Sequence, residues 1–309
     1  MAPLADPHGP PRPAWVEAFL ASPQFRDAGL EIRGLGPGEA VLALPARPAW
    51  RGDPVRNRTH TGCLSVLADT ACGLSVGTRL DPPAPFVTLD LRMDYLRSAD
   101  AGRGLVCVAR CHRLAGEVAF VRGELRQEGG DDLVAYASAT FMLAGRRAAP
   151  AGTRPARSGR TPEGRTPLQA EAMAGTVQPA LPRGRSPYVD YLGILRQAGP
   201  GAGPVYRLPF REQLVGNPAV PALHGGVLAG FGETAMILHL AAGAAPGALP
   251  KGVDFTMEYL RPALARDTFA QATTLRLGSR VALVQAVVWQ EDPDRPIALA
   301  RGHCLMGRR

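Results

Sequence analysis

The chain has 309 residues, 46% of them hydrophobic and 20% charged, with a formal net charge of +8. That length suits about two ordinary domains, and no apolar run reaches the roughly 20 residues a membrane-crossing helix needs. The charge is local: segment 145–186 holds eight arginines against two glutamates, which accounts for most of the excess.

Taken in order, residues 1–12 are Pro-rich and expected to be loose. Trp15 to Leu20 predicts a short helix, with Tyr188 to Leu195 as its later counterpart. Gly29 to Pro45 predicts two short strands about the Gly36–Gly38 turn. From Gly62 to about Arg79, the positions Leu64, Leu67, Ala68, Ala71 and Leu74 follow helical spacing, and Asp81-Pro82-Pro83 is expected to end that helix. Four strand-like runs follow, Phe86–Leu96, Gly104–Arg113, Glu117–Gln127 and Leu133–Leu143, read as a meander with hairpin turns.

Segment 146–185, rich in Arg, Pro and Gly, reads as a solvated linker between a first domain (13–145) and a second (186–309). It has no aromatic residue on which a base could stack, so no nucleic-acid partner is expected. The second half repeats the first. A helix carrying Leu228, Phe231, Ala235 and Leu238 is expected to end at Pro246-Gly247. The runs Gly252–Leu260, Thr268–Leu277, Arg280–Gln290 and Ile297–Met306 come after it. Five cysteines in no paired or metal-ligand spacing argue for reduced thiols, a cytoplasmic setting and no metal. Neither a signal peptide nor a membrane partner is expected.

The repeat has a fixed offset of 164. His60 falls on His224, Gly62 on Gly226, Asp69 on Glu233, Asp53-Pro54 on Asn217-Pro218, and Asp94-Tyr95-Leu96-Arg97 on Glu258-Tyr259-Leu260-Arg261. A period this long means duplication of a whole domain. The expected class is therefore α+β: two tandem halves, each a long central helix wrapped by a curled antiparallel sheet.

In each half a His precedes a small turn ending in Gly, and an acid lies nine residues beyond that His, inside an apolar helix. A buried acid is costly unless it is paired or functional. A helix N-terminus offers unpaired N–H groups and a positive dipole end, which suit an oxyanion. The acid lies about 12 Å along its own helix from that end, so it cannot serve its own N-terminus. Two such helices packed antiparallel bring each acid to the N-terminus of the other.

The set Asn217-Pro218, His224-Gly225-Gly226, Glu233 and Tyr259-Leu260-Arg261-Pro262 resembles the hotdog-fold acyl-CoA thioesterases, most closely the PaaI-like branch that acts on phenylacetyl-CoA and related thioesters. The resemblance covers both halves and implies two hotdog domains forming an intrachain pseudo-dimer. It also implies hydrolysis of an acyl-CoA to free acid and CoA without a cofactor. One site would join Asp69 to Gly225, whose N–H polarises the carbonyl, to Gly226, and to Asn217 and His224, which position it. Thr88 matches a Ser or Thr that assists the acid in some relatives.

The other site would join Glu233 to Asp53, His60, Thr61 and Gly62. Asp53 stands there for Asn, Thr61 for Gly and Gly252 for the Ser or Thr, so a weakened site is expected. Arg97 and Arg261, at strand ends, are candidates to meet the phosphates of CoA; ordinary surface roles remain open for both. A non-catalytic acyl-CoA sensor is the rival reading, and hotdog hydratases fit the spacing less well. Pairing of two chains back to back as a homodimer is expected.

Overall fold

The two motif helices are apolar or small almost all round, the pattern of a helix buried on every side. In the computed structural model, which describes residues 13–143, 176–199, 203–217, 221–243 and 249–306, every residue from Gly62 to Gly77 is buried. Asn217 is described by its backbone alone. The tail 1–12, Pro218, Pro246-Gly247 and most of the predicted linker lie outside the described residues.

The first half runs α1 (Ala14–Leu20), α2 (Pro23–Ala28), β1 (Glu31–Gly36), β2 (Glu39–Leu44), β3 (Arg51–Asp53), β4 (Arg58–Thr59), α3 (Thr61–Gly77), β5 (Phe86–Tyr95), β6 (Leu105–Ala115), β7 (Val118–Gln127) and β8 (Leu133–Leu143). The second runs β9 (Gln178–Pro179), α4 (Pro187–Leu192), β10 (Leu195–Gln197), β11 (Val205–Leu208), β12 (Val215–Asn217), β13 (Ala222–Leu223), α5 (Gly225–Ala242), β14 (Lys251–Tyr259), β15 (Thr268–Leu277), β16 (Val281–Trp289) and β17 (Ala298–Leu305). Each half is a hotdog domain, the α+β arrangement expected from the repeat. The central helix lies along an antiparallel sheet, α3 against β2 and β5 to β8, and α5 against β14 to β17. Strand residues alternate between core and solvent, as along β7.

The halves share one 13-stranded sheet, ordered β1-β2-β6-β7-β8-β5-β14-β17-β16-β15-β11-β10-β9. Its centre is the antiparallel pair β5–β14, with Leu91 opposite Met257 and Arg92 opposite Thr256. The predicted four-strand meander is only partly right. Strands β6, β7 and β8 meander, but β5 pairs with β8 instead of β6. That placement leaves the free edge of β5 to join the halves. Strand β9, inside the predicted linker, pairs with β10 of the second half.

One predicted correspondence fails. The counterpart of α4 is α2, not Trp15–Leu20. Ser22 and Ser186 precede Pro23 and Pro187, and both helices end at a left-handed glycine, Gly29 and Gly193, each at φ 66°. Among the described residues helix α1 has no counterpart in the second half. Helices α2 and α4 also cross over: α2 packs on the segment before His224, and α4 on the segment before His60.

Helix α5 is long and apolar enough by length and composition to span a membrane, contrary to the sequence expectation, but 72% of it is buried inside the protein and it carries Glu233. It is a core helix.

Helices α3 and α5 pack antiparallel, with Gly226 against Val66 and Gly230 against Gly62. A Cβ on Gly226 would lie 2.6 Å from Val66 Cα and 2.8 Å from Ser65 O. Backbone cannot yield as a flexible side chain can. Gly226→Ala should therefore destabilise the protein by about 1–3 kcal/mol, measured by denaturant unfolding.

Candidate active site

The antiparallel contact brings Asp69, buried in the third turn of α3, to the first turn of α5. Its Oδ2 accepts the Gly226 N–H at 2.7 Å, and its Oδ1 accepts the Thr88 hydroxyl at 3.0 Å from β5. A Cβ on Gly225 would lie 2.7 Å from Oδ2, so the acid can hold this position only beside a glycine.

His224 caps α5. Its Nδ1 accepts the same Gly226 N–H at 3.0 Å, which places the ring proton on Nε2. That nitrogen sits 3.1 Å from Thr70 Oγ1, and the Thr70 hydroxyl donates onward to Val66 O. Burial pushes the imidazole below its ordinary pKa, against the opposing pull of Asp69. The 3.5 Å approach of Nδ1 to Asp69 Oδ2 is thus two acceptors meeting on one N–H, not an ion pair. Tyr259, a residue sequence reasoning used only as a motif letter, donates to Gly225 O at 2.7 Å.

The other end of the helix pair is arranged differently. His60 caps α3 in the same way, Nδ1 accepting from Gly62 N at 3.0 Å. Its ring, however, stacks on Tyr188, centroids 4.3 Å apart, and burial pushes it down to about 3. Glu233 Oε2 accepts the Tyr95 hydroxyl at 3.0 Å, while Oε1 is buried without a hydrogen bond. Burial raises the Glu233 carboxyl to about 7, partly offset by the hydroxyls of Thr61 and Tyr95. The Thr61 hydroxyl favours the charged form by proximity, yet its oxygen completes no hydrogen bond. Asp53 does not aim a bare charge at this site. Burial alone would raise its carboxyl, but Arg56 holds it below the usual range through side-chain and backbone hydrogen bonds.

The structure therefore joins Asp69, Thr88, His224, Gly225 and Gly226 in one cluster, and His60, Thr61, Gly62 and Glu233 in the other. Arg97 pairs with Asp132 at 2.5 Å and lies at the mouth of a cleft beside the Glu233 end. Arg261 bonds Pro296 O. Sequence reasoning missed Tyr95 and Tyr188, and also the aromatic group beyond Asp69. Gly73, one turn on from Asp69, faces Phe86 and Phe19, and Gly77 faces Trp15. Phe19 stacks on Phe86, and Phe86 meets Phe141 edge-on. The i, i+4 glycines on α3 were the available signal for this close approach.

Among the described residues no cluster of His, Cys, Asp and Glu could hold a metal. A helix N-terminus facing a buried, hydrogen-bonded carboxylate can stabilise an oxyanion and activate water or attack directly.

A carboxyl raised on folding binds its proton more tightly in the folded state. The charged form of Glu233 thus costs nothing below its ordinary value of 4.5, and the cost grows until pH reaches about 7. Stability should fall across that window by on the order of 3 kcal/mol, at about 1.4 kcal/mol per unit. Glu233→Gln should be more stable than the natural protein at pH 8 and nearly equal at pH 4.5, as read by urea titrations at both values.

The sequence profile of the thioesterase superfamily matches residues 57–134 and again residues 221–297, half of the chain. A medium/long-chain acyl-CoA thioesterase of Salmonella typhimurium is 31% identical over 142 residues, covering 41% of this chain and 90% of the relative. A Pseudomonas aeruginosa protein named as an esterase is 38% identical over 84 residues, 27% of this chain; the match spans 61% of that relative. Among solved structures, a Novosphingobium aromaticivorans protein named as a thioesterase superposes with a TM-score of 0.62 at 16% identity, over 88% of this chain and 100% of that one. The tesB protein of Mycobacterium avium gives 0.56 at 13%, over 90% and 96%. These two share the fold, and the matched profile supplies the family: the chain belongs to the thioesterase superfamily and carries its domain twice.

Proposed function

We propose that the protein hydrolyses acyl-CoA thioesters at the Asp69 end of its helix pair. The observation that carries this is the seating of Asp69, from the first half, on the Gly226 N–H at the N-terminus of the second half's helix, 2.7 Å away. The acid and the oxyanion donors thus come from different domains of one chain.

In this reading the thioester carbonyl sits at the first turn of α5, polarised by the Gly225 N–H. Thr88 holds Oδ1 and the Gly226 N–H holds Oδ2; the second lone pair of Oδ2 takes a proton from water as the water oxygen adds to the carbonyl carbon. Collapse of the tetrahedral oxyanion breaks the C–S bond, and the CoA thiolate takes up the proton held by Asp69, which restores the carboxylate. His224, neutral, positions the first turn through Thr70 and transfers no proton. Asn217 is assigned a positioning role by resemblance alone. The acyl group is placed beyond Asp69, beside the packed rings of Phe19, Phe86 and Phe141, and an aromatic or short acyl chain of the phenylacetyl type is the substrate class proposed. Arg261, just past the end of β14, is a candidate phosphate contact. No cofactor is required by these steps. Pairing into a homodimer and a cytoplasmic setting stay part of the proposal.

CoA release should be followed with a thiol reagent over short, medium, long and aromatic acyl-CoAs. Asp69→Asn should lose at least about 100-fold in kcat, the usual scale for a general base. Thr88→Ala should lose about 10-fold or more, as expected for a hydrogen bond to a charged group. Full turnover in Asp69→Asn together with none in Glu233→Gln would reverse the assignment. Binding without turnover of any thioester would make the protein a sensor.

Gly225→Ala should also lose about 100-fold, since its Cβ displaces the carboxylate and an ångström of misplacement costs on that order.

A further inference from the structure

Tyr259 opens the stretch Tyr259-Leu260-Arg261-Pro262, and nothing in the reaction above uses its phenol. It is the last residue of β14. From there its hydroxyl reaches the first turn of α5 and donates to Gly225 O at 2.7 Å. That carbonyl and the Gly226 N–H are the two ends of one peptide group. The N–H end meets two acceptors, Asp69 Oδ2 at 2.7 Å and His224 Nδ1 at 3.0 Å. A trans peptide is a rigid plane whose C=O and N–H point opposite ways. Holding the oxygen therefore fixes the direction of the hydrogen.

The hold matters because of what flanks that peptide. Both neighbours are glycines, Gly225 and Gly226. With no Cβ on either side, local sterics set the tilt of the plane only loosely. Neither position has room for a side chain: a Cβ would lie 2.7 Å from Asp69 Oδ2 at residue 225, and 2.6 Å from Val66 Cα at residue 226. The stiffness must come from outside the helix. The first half shows the alternative. There the equivalent peptide joins Thr61 to Gly62, and Thr61 supplies a branched Cβ. Tyr95, at the repeat position of Tyr259, gives its hydroxyl to Glu233 Oε2 instead. Polarisation acts in the same sense as geometry. The phenol, the peptide and the carboxylate form one chain, O–H to O=C and N–H to Oδ2, in which each bond strengthens the next. Burial pushes the Tyr259 phenol well above its ordinary pKa, and the carboxylates of Asp69 and Asp90 add to this. Tyr259 is thus protonated, and a donor, at neutral pH.

We infer that Tyr259 is a positioning residue of the Asp69 site: by holding the Gly225 carbonyl it sets the tilt of the Gly225–Gly226 peptide and aims the Gly226 N–H at the carboxylate. That bond in turn fixes which lone pair of Oδ2 is left to take the proton of water. The consequence for turnover rests on the thioester-hydrolysis reading, whereas the hold itself rests on the hydrogen bonds at the two ends of the peptide.

Two measurements on the full chain separate these parts. The first is the backbone amide NMR spectrum of the natural protein and of Tyr259→Phe, which keeps the ring and its packing; the same spectrum reports the fold. The Gly226 amide proton should move upfield in the variant, as its bond to the carboxylate weakens, while amides of β7 stay in place. The second is turnover, with enzyme in excess where rates are low. Tyr259→Phe should lower kcat about five- to tenfold and change KM less than about twofold, the pattern of a lost interaction that acts in the transition state. In an Asp69→Asn background the same change should cost less than about twofold, because Tyr259 acts through the carboxylate. An equal loss in both backgrounds, a loss confined to KM, or an unmoved Gly226 amide would overturn the inference. A natural protein that turns over no thioester, yet whose Gly226 amide moves on Tyr259→Phe, would uphold the hold of Tyr259 while sinking the hydrolytic reading of the Asp69 end.

Discussion

The structure depends on how closely α3 and α5 can approach. Side chains on ordinary helices hold their axes 8–10 Å apart. Here Gly226 lies against the backbone of Val66, and Gly62 against Gly230. Only that contact lets a side chain as short as aspartate reach from the third turn of one helix to the first-turn amides of the other. The antiparallel sense follows from the duplication, since each half presents the same face to its copy. The joint sheet, closed at β5–β14, holds the two helices in that register from behind.

The same contact explains why the two ends have diverged while keeping one framework. Gly225 makes room for a short acid placed directly on the helix terminus, whereas the Thr61 end carries the longer Glu233. Thr88 holds one carboxylate and Tyr95 the other, and they come from different strand positions because Gly252 has no hydroxyl. Aromatic residues of α1 and β5 fill the space beyond Asp69, while the corresponding space beyond Glu233 is an aliphatic cleft. One acid is fully hydrogen-bonded. The other carries an unpartnered oxygen and a carboxyl raised to about 7. A buried acid kept at a cost in stability marks a position maintained for binding or chemistry.

The neutral state of both histidines bears on the same point. Each gives its Nδ1 lone pair to a first-turn amide, so each ring acts as a helix cap whose other nitrogen is free to be held. Thr70 holds His224, and Tyr188 stacks on His60. These contacts come from α3 in one case and α4 in the other, so the crossed-over packing of α4 is part of how the His60 end is built.

The sequence by itself determined the duplication, the two apolar helices and the pairing of each acid with the opposite helix terminus. These follow from local quantities: a constant offset, a 3.6-residue period, and the 1.5 Å rise that keeps Asp69 from its own N-terminus. The His-Gly-Gly turn was legible for the same reason, whereas Thr88, whose repeat counterpart is Gly252, was marked by the family resemblance alone. Tertiary structure alone decided the neighbour of β5, because alternation shows which face of a strand is buried and not which strand lies beside it. It decided that α2, not α1, matches α4, and that α1 instead covers Gly73 and Gly77. It also decided that Tyr95 bonds Glu233 across the halves. Those relations join residues far apart in the chain, 138 positions for Tyr95 and Glu233, and no local periodicity records them.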